Sequence, residues 1–141
     1  MKARIKLVEG MTFVAESGSG HAVVFDAAPE VGGRDLGPRP MELVLMGTGG
    51  CSAIDVVHIL RKSRQPVVDC EVQLEAERAP EDPKVFTRID MRFIVTGRGL
   101  NPVQVERAVK LSKEKYCSAS IMLAKTAEIA THIEIREADP A

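Results

Sequence analysis

Residues 40 to 62, PMELVLMGTGGCSAIDVVHILRK, restrict the fold more than any other stretch of this chain. A helix wound from them has apolar residues on almost every side, and Glu42, Asp55 and His58 are too few to make a solvated face. Such a helix has to be covered over most of its circumference, so the rest of the chain must be arranged around it. Cys51 sits near its middle, preceded by Gly47, Gly49 and Gly50. A thiol in that position is either core filler or the group the core was built around.

The chain has 141 residues, 45% of them hydrophobic, enough to close one substantial core and too few for two comfortable domains. The expectation is a single domain over 1–141. Lys plus Arg number 19 against 20 Asp plus Glu, so a net charge of -1 offers no footprint for a polyanion, and nucleic acid is not an expected partner. The N-terminal MKARIKLVEGMTF alternates charged and apolar residues and lacks the apolar run of a signal peptide. Asp55 and His58 interrupt the best candidate for a membrane span, so no membrane is expected and the location is read as cytoplasmic. In a reducing compartment three cysteines are not a disulfide framework, and any pairing is transient and catalytic.

Alternation over 3–9, broken only at Val8, predicts a strand, followed by a second at 11–16. The SGSG turn at 17–20 leads into a third at 21–25, giving an antiparallel meander. Residues 26–39 mix Pro, Gly and charge without periodicity and form a long loop of the kind that often carries function. After the helix, Gln65-Pro66 breaks the chain. Val68, Cys70, Val72, Leu74 and Ala76 then alternate with polar residues, and APEDP at 79–83 turns the chain back. The returning strand is expected to bury Val85, Ile89, Met91, Phe93 and Val95 together with Thr87. Pairing Glu75 with Arg88 and Glu71 with Arg92 would fix the register. Asn101-Pro102 starts a helix predicted to reach about Lys115, a short helix follows from Ser118, and a final strand occupies 127–137. The order βββαββααβ argues for α+β, with helices on one face of an antiparallel sheet.

Cys70, between Val68 and Val72 on an apolar strand face, is a small buried hydrophobe. For Cys51 two readings stand beside each other: the glycines serve helix packing, or they floor a groove in which the thiol is reactive. A phosphate loop is disfavoured because the glycines do not follow a strand. Cys117, at the N-cap of the second short helix, is either a cap or a thiol activated by the helix terminus. A thiolate at Cys51 would need a cation from elsewhere, and Arg34 and Arg39 in the long loop are the candidates, against ordinary surface roles for both. Asp55 and His58 share the face of Cys51. They raise a Cys-His hydrolase but fit better as a satisfied core pair. The cysteines and histidines show no metal-ligand spacing, so no metal is expected.

Taken together, PMELVLM, GGCSAIDVV, VVDCEV and EKYCS resemble the OsmC/Ohr family of thiol peroxidases over nearly the whole chain, and its YhfA-like branch in particular. The resemblance implies an OsmC-like α+β fold with antiparallel sheets, a buried central helix and an intertwined homodimer with its active sites at the interface. It implies that Cys51 attacks an organic or lipid-like hydroperoxide and Cys117 resolves the sulfenic acid, as in an oxidative-stress defence. No cofactor would be bound, and an external dithiol of the lipoyl type would restore both thiols. It further implies an arginine, here Arg39 or Arg34, ordered by a glutamate. The family's glutamate stands ten positions before the first cysteine, where this chain has Met41, with Glu42 beside it. The alternative is a small-molecule binding protein of the same fold, holding an apolar or thiol-containing ligand.

Overall fold

Three short strands open the chain: β1 (Ala3–Glu9), β2 (Thr12–Ser17) and β3 (Ala22–Asp26), in a computed structural model that describes residues 1–140. They pair antiparallel in the order β1-β2-β3. The break in alternation at Val8 is a register shift between Leu7 and Glu9, and Gly10, at φ 57°, supplies the left-handed turn that follows. Phe13 and Phe25 lie opposite each other and stack with centroids 5.5 Å apart.

The long loop is fastened by Asp26, which is 1% exposed at the end of β3. Its carboxylate accepts backbone N–H bonds from Ala27 (2.8 Å), Arg34 (3.0 Å) and Leu36 (3.3 Å) and a hydroxyl bond from Thr12 (3.3 Å). At Gly33 a Cβ would come within 1.7 Å of the Ala27 carbonyl oxygen, so this approach of backbone to backbone requires glycine. Burial pushes the Asp26 carboxyl up, but the N–H donors and Thr12 outweigh it and hold the group below its ordinary value. A depressed carboxylate contributes stability that is present above its unfolded pKa of about 3.9 and is lost as pH falls through the lower folded value. Urea melts should therefore show Asp26→Asn less stable than the parent at neutral pH, with the gap closing in acid. A gap independent of pH would remove the carboxylate from this role.

Helix α1 (Pro40–Lys62) carries the chain from one compact unit, Met1–Val44, into a second that begins at Leu45. By length and composition α1 is apolar enough to cross a membrane, despite Asp55 and His58, a property it shares with the core helices of soluble proteins. Its buried positions, Thr48, Gly49, Ser52, Val56 and Leu60, make one stripe, small at the start and aliphatic at the end. Gly49 lies so close to β4 that a Cβ would meet Leu74 Cδ1 at 2.6 Å, whereas Gly47 and Gly50 face open space. On its other sides Val44, Met46 and Ile54 stay 41%, 60% and 72% exposed.

The second unit holds β4 (Val67–Arg78), β5 (Phe86–Gly97) and β6 (Glu128–Glu137) in one sheet, order β4-β5-β6. The middle strand supplies much of the core through Ile89, Met91, Phe93 and Val95. Three details differ from the expectation. First, β6 lies parallel to β5, because the chain returns through a helical crossover rather than a hairpin. Second, Glu75 sits opposite Asp90, Glu77 opposite Arg88 and Gln73 opposite Arg92. A register shift between Glu77 and Arg78 leaves Thr87 exposed and buries Phe86 in its place. The arginines instead find acids on their own strand and on β6: Arg88 pairs with Asp90 (2.7 Å) and Glu128 (3.0 Å), and Arg92 with Glu134.

Third, helix α2 (Pro102–Leu111), capped by Asn101 accepting from Val103 N–H at 3.0 Å, stops short of Lys115. One π turn, Ser112–Tyr116, follows it, closed by the Cys117 N–H on the Ser112 carbonyl at 2.8 Å. Helix α3 (Ser118–Leu123) then starts at Cys117.

Candidate active site

The small residues of the α1 stripe leave room for the start of α3, and there the two distant cysteines meet. Cys51 Sγ, Cys117 Sγ and a carboxylate oxygen of Asp55 all lie within 4.8 Å of one another. Both thiols are free; Cys117 is 0% exposed and Cys51 half-buried. Around Cys117 two donors converge, the Ser52 hydroxyl at 3.1 Å and the Ser120 N–H at 3.4 Å, and the Cys117 thiol itself donates to the Thr48 carbonyl at 3.9 Å. The π turn sets this geometry. Its extra residue places Cys117 at the cap, while the Ser112 hydroxyl ties the same turn to α1 by donating to Asp55 at 3.2 Å.

The two sulfurs are unequal. Burial pushes the Cys51 thiol up; an N–H from Ala119 works against this, but Cys117 and the Asp55 charge reinforce it. Burial acts on Cys117 too, yet the Ser120 side chain, the Ser52 hydroxyl, the Ser120 N–H and the Cys51 thiol together bring it below the ordinary value. In this pair Cys117 is the sulfur that gives up its proton more readily. A disulfide requires an S–S separation of about 2.05 Å, so the sulfurs need to approach by under about 3 Å.

The other candidate residues have settled partners. Arg34 pairs with Glu9 at 3.0 Å and reaches the Thr12 hydroxyl at 3.4 Å. Arg39 donates its backbone N–H to Glu42 at 2.8 Å, the returning half of a capping box, and its guanidinium lies 3.6 Å from the same carboxylate. The Arg39 Nε is buried with no hydrogen-bond partner among the described residues. Cys70 stays on β4, its thiol pushed up by burial and by Asp69.

The expected core pair of Asp55 and His58 does not form. Asp55 takes Ser112, and His58 is exposed, lining with Asp55, Lys62, Gln104, Arg107 and Tyr116 a groove of about 500 Å³ between α1 and α2. A Cys-His hydrolase loses its support, since the partners of Cys51 are Cys117 and the Ala119 N–H. Ser52, Ser112 and Ser120 went unnoticed in the sequence. Only the position of Ser52 and Ser120, one and three residues after a cysteine, could have marked them.

The OsmC-like protein family matches residues 32–132, a span that includes both thiols. The chain belongs to the OsmC-like family. Protein YhfA of Escherichia coli strain K12 is 55% identical to this OsmC-like chain over 135 residues, 96% of this chain and 98% of its own length. A hypothetical protein from Aquifex aeolicus VF5 superposes with a TM-score of 0.86 at 30% identity, covering 98% of this chain and 97% of that one. The organic hydroperoxide resistance protein OhrB of Bacillus subtilis shares the OsmC-like fold at a TM-score of 0.65 and 17% identity, over 95% and 98% of the two chains.

Proposed function

We propose that this OsmC-like protein is a homodimeric, thiol-dependent reductase of organic hydroperoxides working in the cytoplasm. The observation that carries the reading is the meeting of Cys51 and Cys117 within 4.8 Å. OhrB, an organic hydroperoxide resistance protein of the same fold, points the same way. Cys51, the more accessible sulfur, attacks the O–O bond; the alkoxide leaves and takes a proton as the alcohol, and Cys51 becomes a sulfenic acid. Cys117 then attacks that sulfur, the two cysteines join, and water leaves. An external dithiol of the lipoyl type returns both thiols and is itself oxidised to a disulfide. The net change is hydroperoxide plus dithiol to alcohol, water and disulfide.

The division of labour suits the electrostatics. A resolving thiol profits from being a thiolate before its target appears, and Cys117 has the donors for that. Cys51 needs a cation, because burial, Cys117 and Asp55 all oppose its ionisation. Within this reading Arg39, partnered by Glu42, supplies it, and Arg34 is the second candidate. A second copy of the chain is the partner that covers the open side of α1.

In a coupled assay with a lipoyl-type dithiol, the protein should consume cumene hydroperoxide. Cys51→Ser should fall to the uncatalysed rate, and Arg39→Gln should lose most of kcat/KM while Arg34→Gln keeps it. No turnover by the parent under saturating hydroperoxide would leave the binding-protein reading, which native mass spectrometry would support by finding a retained ligand.

A further inference from the structure

We propose that the reduced Cys51–Cys117 pair, with the Asp55 carboxylate as third ligand, is a binding site for a soft divalent cation of the Zn²⁺ type. The three ligand atoms already lie within 4.8 Å of one another. A tetrahedral Zn²⁺, with bonds of about 2.3 Å to sulfur and about 2.0–2.2 Å to oxygen, spaces its ligands roughly 3.5–3.8 Å apart. No pair therefore has to close by more than about 1.3 Å, a shift that side-chain rotation supplies. Two thiolates and a carboxylate suit such an ion in softness and in charge, and leave a fourth position open for water. Sequence spacing gave no sign of this site, because Cys51 and Asp55 are one helical turn apart on α1 while the third ligand arrives from the cap of α3.

Each ligand also has an outer partner. Ser52 and the Ser120 N–H address Cys117, the Ser112 hydroxyl addresses Asp55, and the Ala119 N–H addresses Cys51. Contacts of this kind orient metal ligands and tune their affinity. The groove between α1 and α2 is lined in part by Asp55, so one of the three ligands borders open space.

Asp55 is what the reductase reading leaves unused. The Asp55 carboxylate opposes ionisation of Cys51, which is a cost to a peroxide-attacking cysteine. With a dication between the three groups the same repulsion becomes attraction, and each bound ion releases the protons of the thiols it ligates. No electrons move in this step. A sulfur committed to a disulfide is no longer a thiolate ligand, so metal and disulfide exclude each other. This last consequence, a cation guarding the reduced pair, rests on the proposed function; the binding does not.

Titrating the reduced protein with Cd²⁺ should produce thiolate-to-metal charge-transfer absorbance that saturates at one ion per chain, and Zn²⁺ should displace it. Cys51→Ser and Cys117→Ser should each abolish stoichiometric binding. Asp55→Asn, with circular dichroism confirming the fold, should weaken binding at least ten-fold, and Ser112→Ala, which keeps every ligand, by roughly 10- to 100-fold. Absence of a saturable band, or parent affinity in Asp55→Asn, overturns the site. Hydroperoxide added to the loaded protein separates the two readings. An ion retained with both thiols intact, while chelator-treated protein closes the disulfide, keeps both readings; thiols intact even in the chelator-treated protein keep the site and sink the reductase, and a disulfide that forms in protein unable to bind the ion does the reverse.

Discussion

Reduced protein given one equivalent of cumene hydroperoxide becomes lighter by two hydrogens, and peptide mapping finds Cys51 joined to Cys117 while Cys70 remains open to alkylation. The separation of at most 4.8 Å makes this closure a matter of side-chain rotation. Cys70 stays out because burial and Asp69 keep its thiol protonated on β4. In Cys117→Ser the reaction stops at a Cys51 sulfenic acid that dimedone traps. In Cys51→Ser, Cys117 has no partner to close on, and its complete burial leaves it unmodified. Fast oxidation of Cys117 in that variant would exchange the two roles. Ser52→Ala removes a hydroxyl held 3.1 Å from the resolving sulfur. A hydrogen bond to a charged acceptor is worth about 1.5–3 kcal/mol, so ring closure slows by up to roughly ten- to a hundred-fold. Two intact thiols in the parent after saturating hydroperoxide would end the reductase reading.

Much of this fold was legible because period-two alternation and turn chemistry act locally. The pause at Val8 is a bulge, Asn101-Pro102 does begin a helix, and the strands of the meander fall within a residue of their expected limits. The errors came where a distant element decides. Arg88 and Arg92 look as though they need acids across the hairpin, but β6 brings Glu128 and Glu134 alongside, so the pairing of charges cannot set the β4–β5 register. The π turn is equally hidden, since a bond to the fifth rather than the fourth residue back leaves no mark on the composition of SKEKY. That turn nonetheless aims Cys117 at α1. The residues alone left contact between the two cysteines open, and the resemblance supplied it; the serines around them could only be seen once the chain was folded.

An acid placed on the open side of α1 should break the proposed homodimer. Ile54, three residues past Cys51, is 72% exposed in the single chain and borders a shallow groove with Ala53, Val57, His58 and Arg61. Met46 on the same helix is 60% exposed. An apolar patch rimmed by polar residues is a solubility cost unless something covers it. Burying one isoleucine is worth about 1.5–3 kcal/mol, and a symmetric dimer buries it twice, about 3–6 kcal/mol in all. Ile54→Glu therefore raises the dimer Kd by roughly 10²- to 10⁴-fold, more if the carboxylate is desolvated without a partner. Sedimentation should show the parent as a dimer and the variant as a monomer at the same concentration. The circular dichroism of the two should agree, because Ile54 contributes little to the core of its own chain. A variant that sediments like the parent would move the interface off α1. If the monomer also loses peroxide turnover while its thiols still reach each other, the charge that activates Cys51 depends on the assembled dimer, and the apolar helix is retained because the site is completed on its open side.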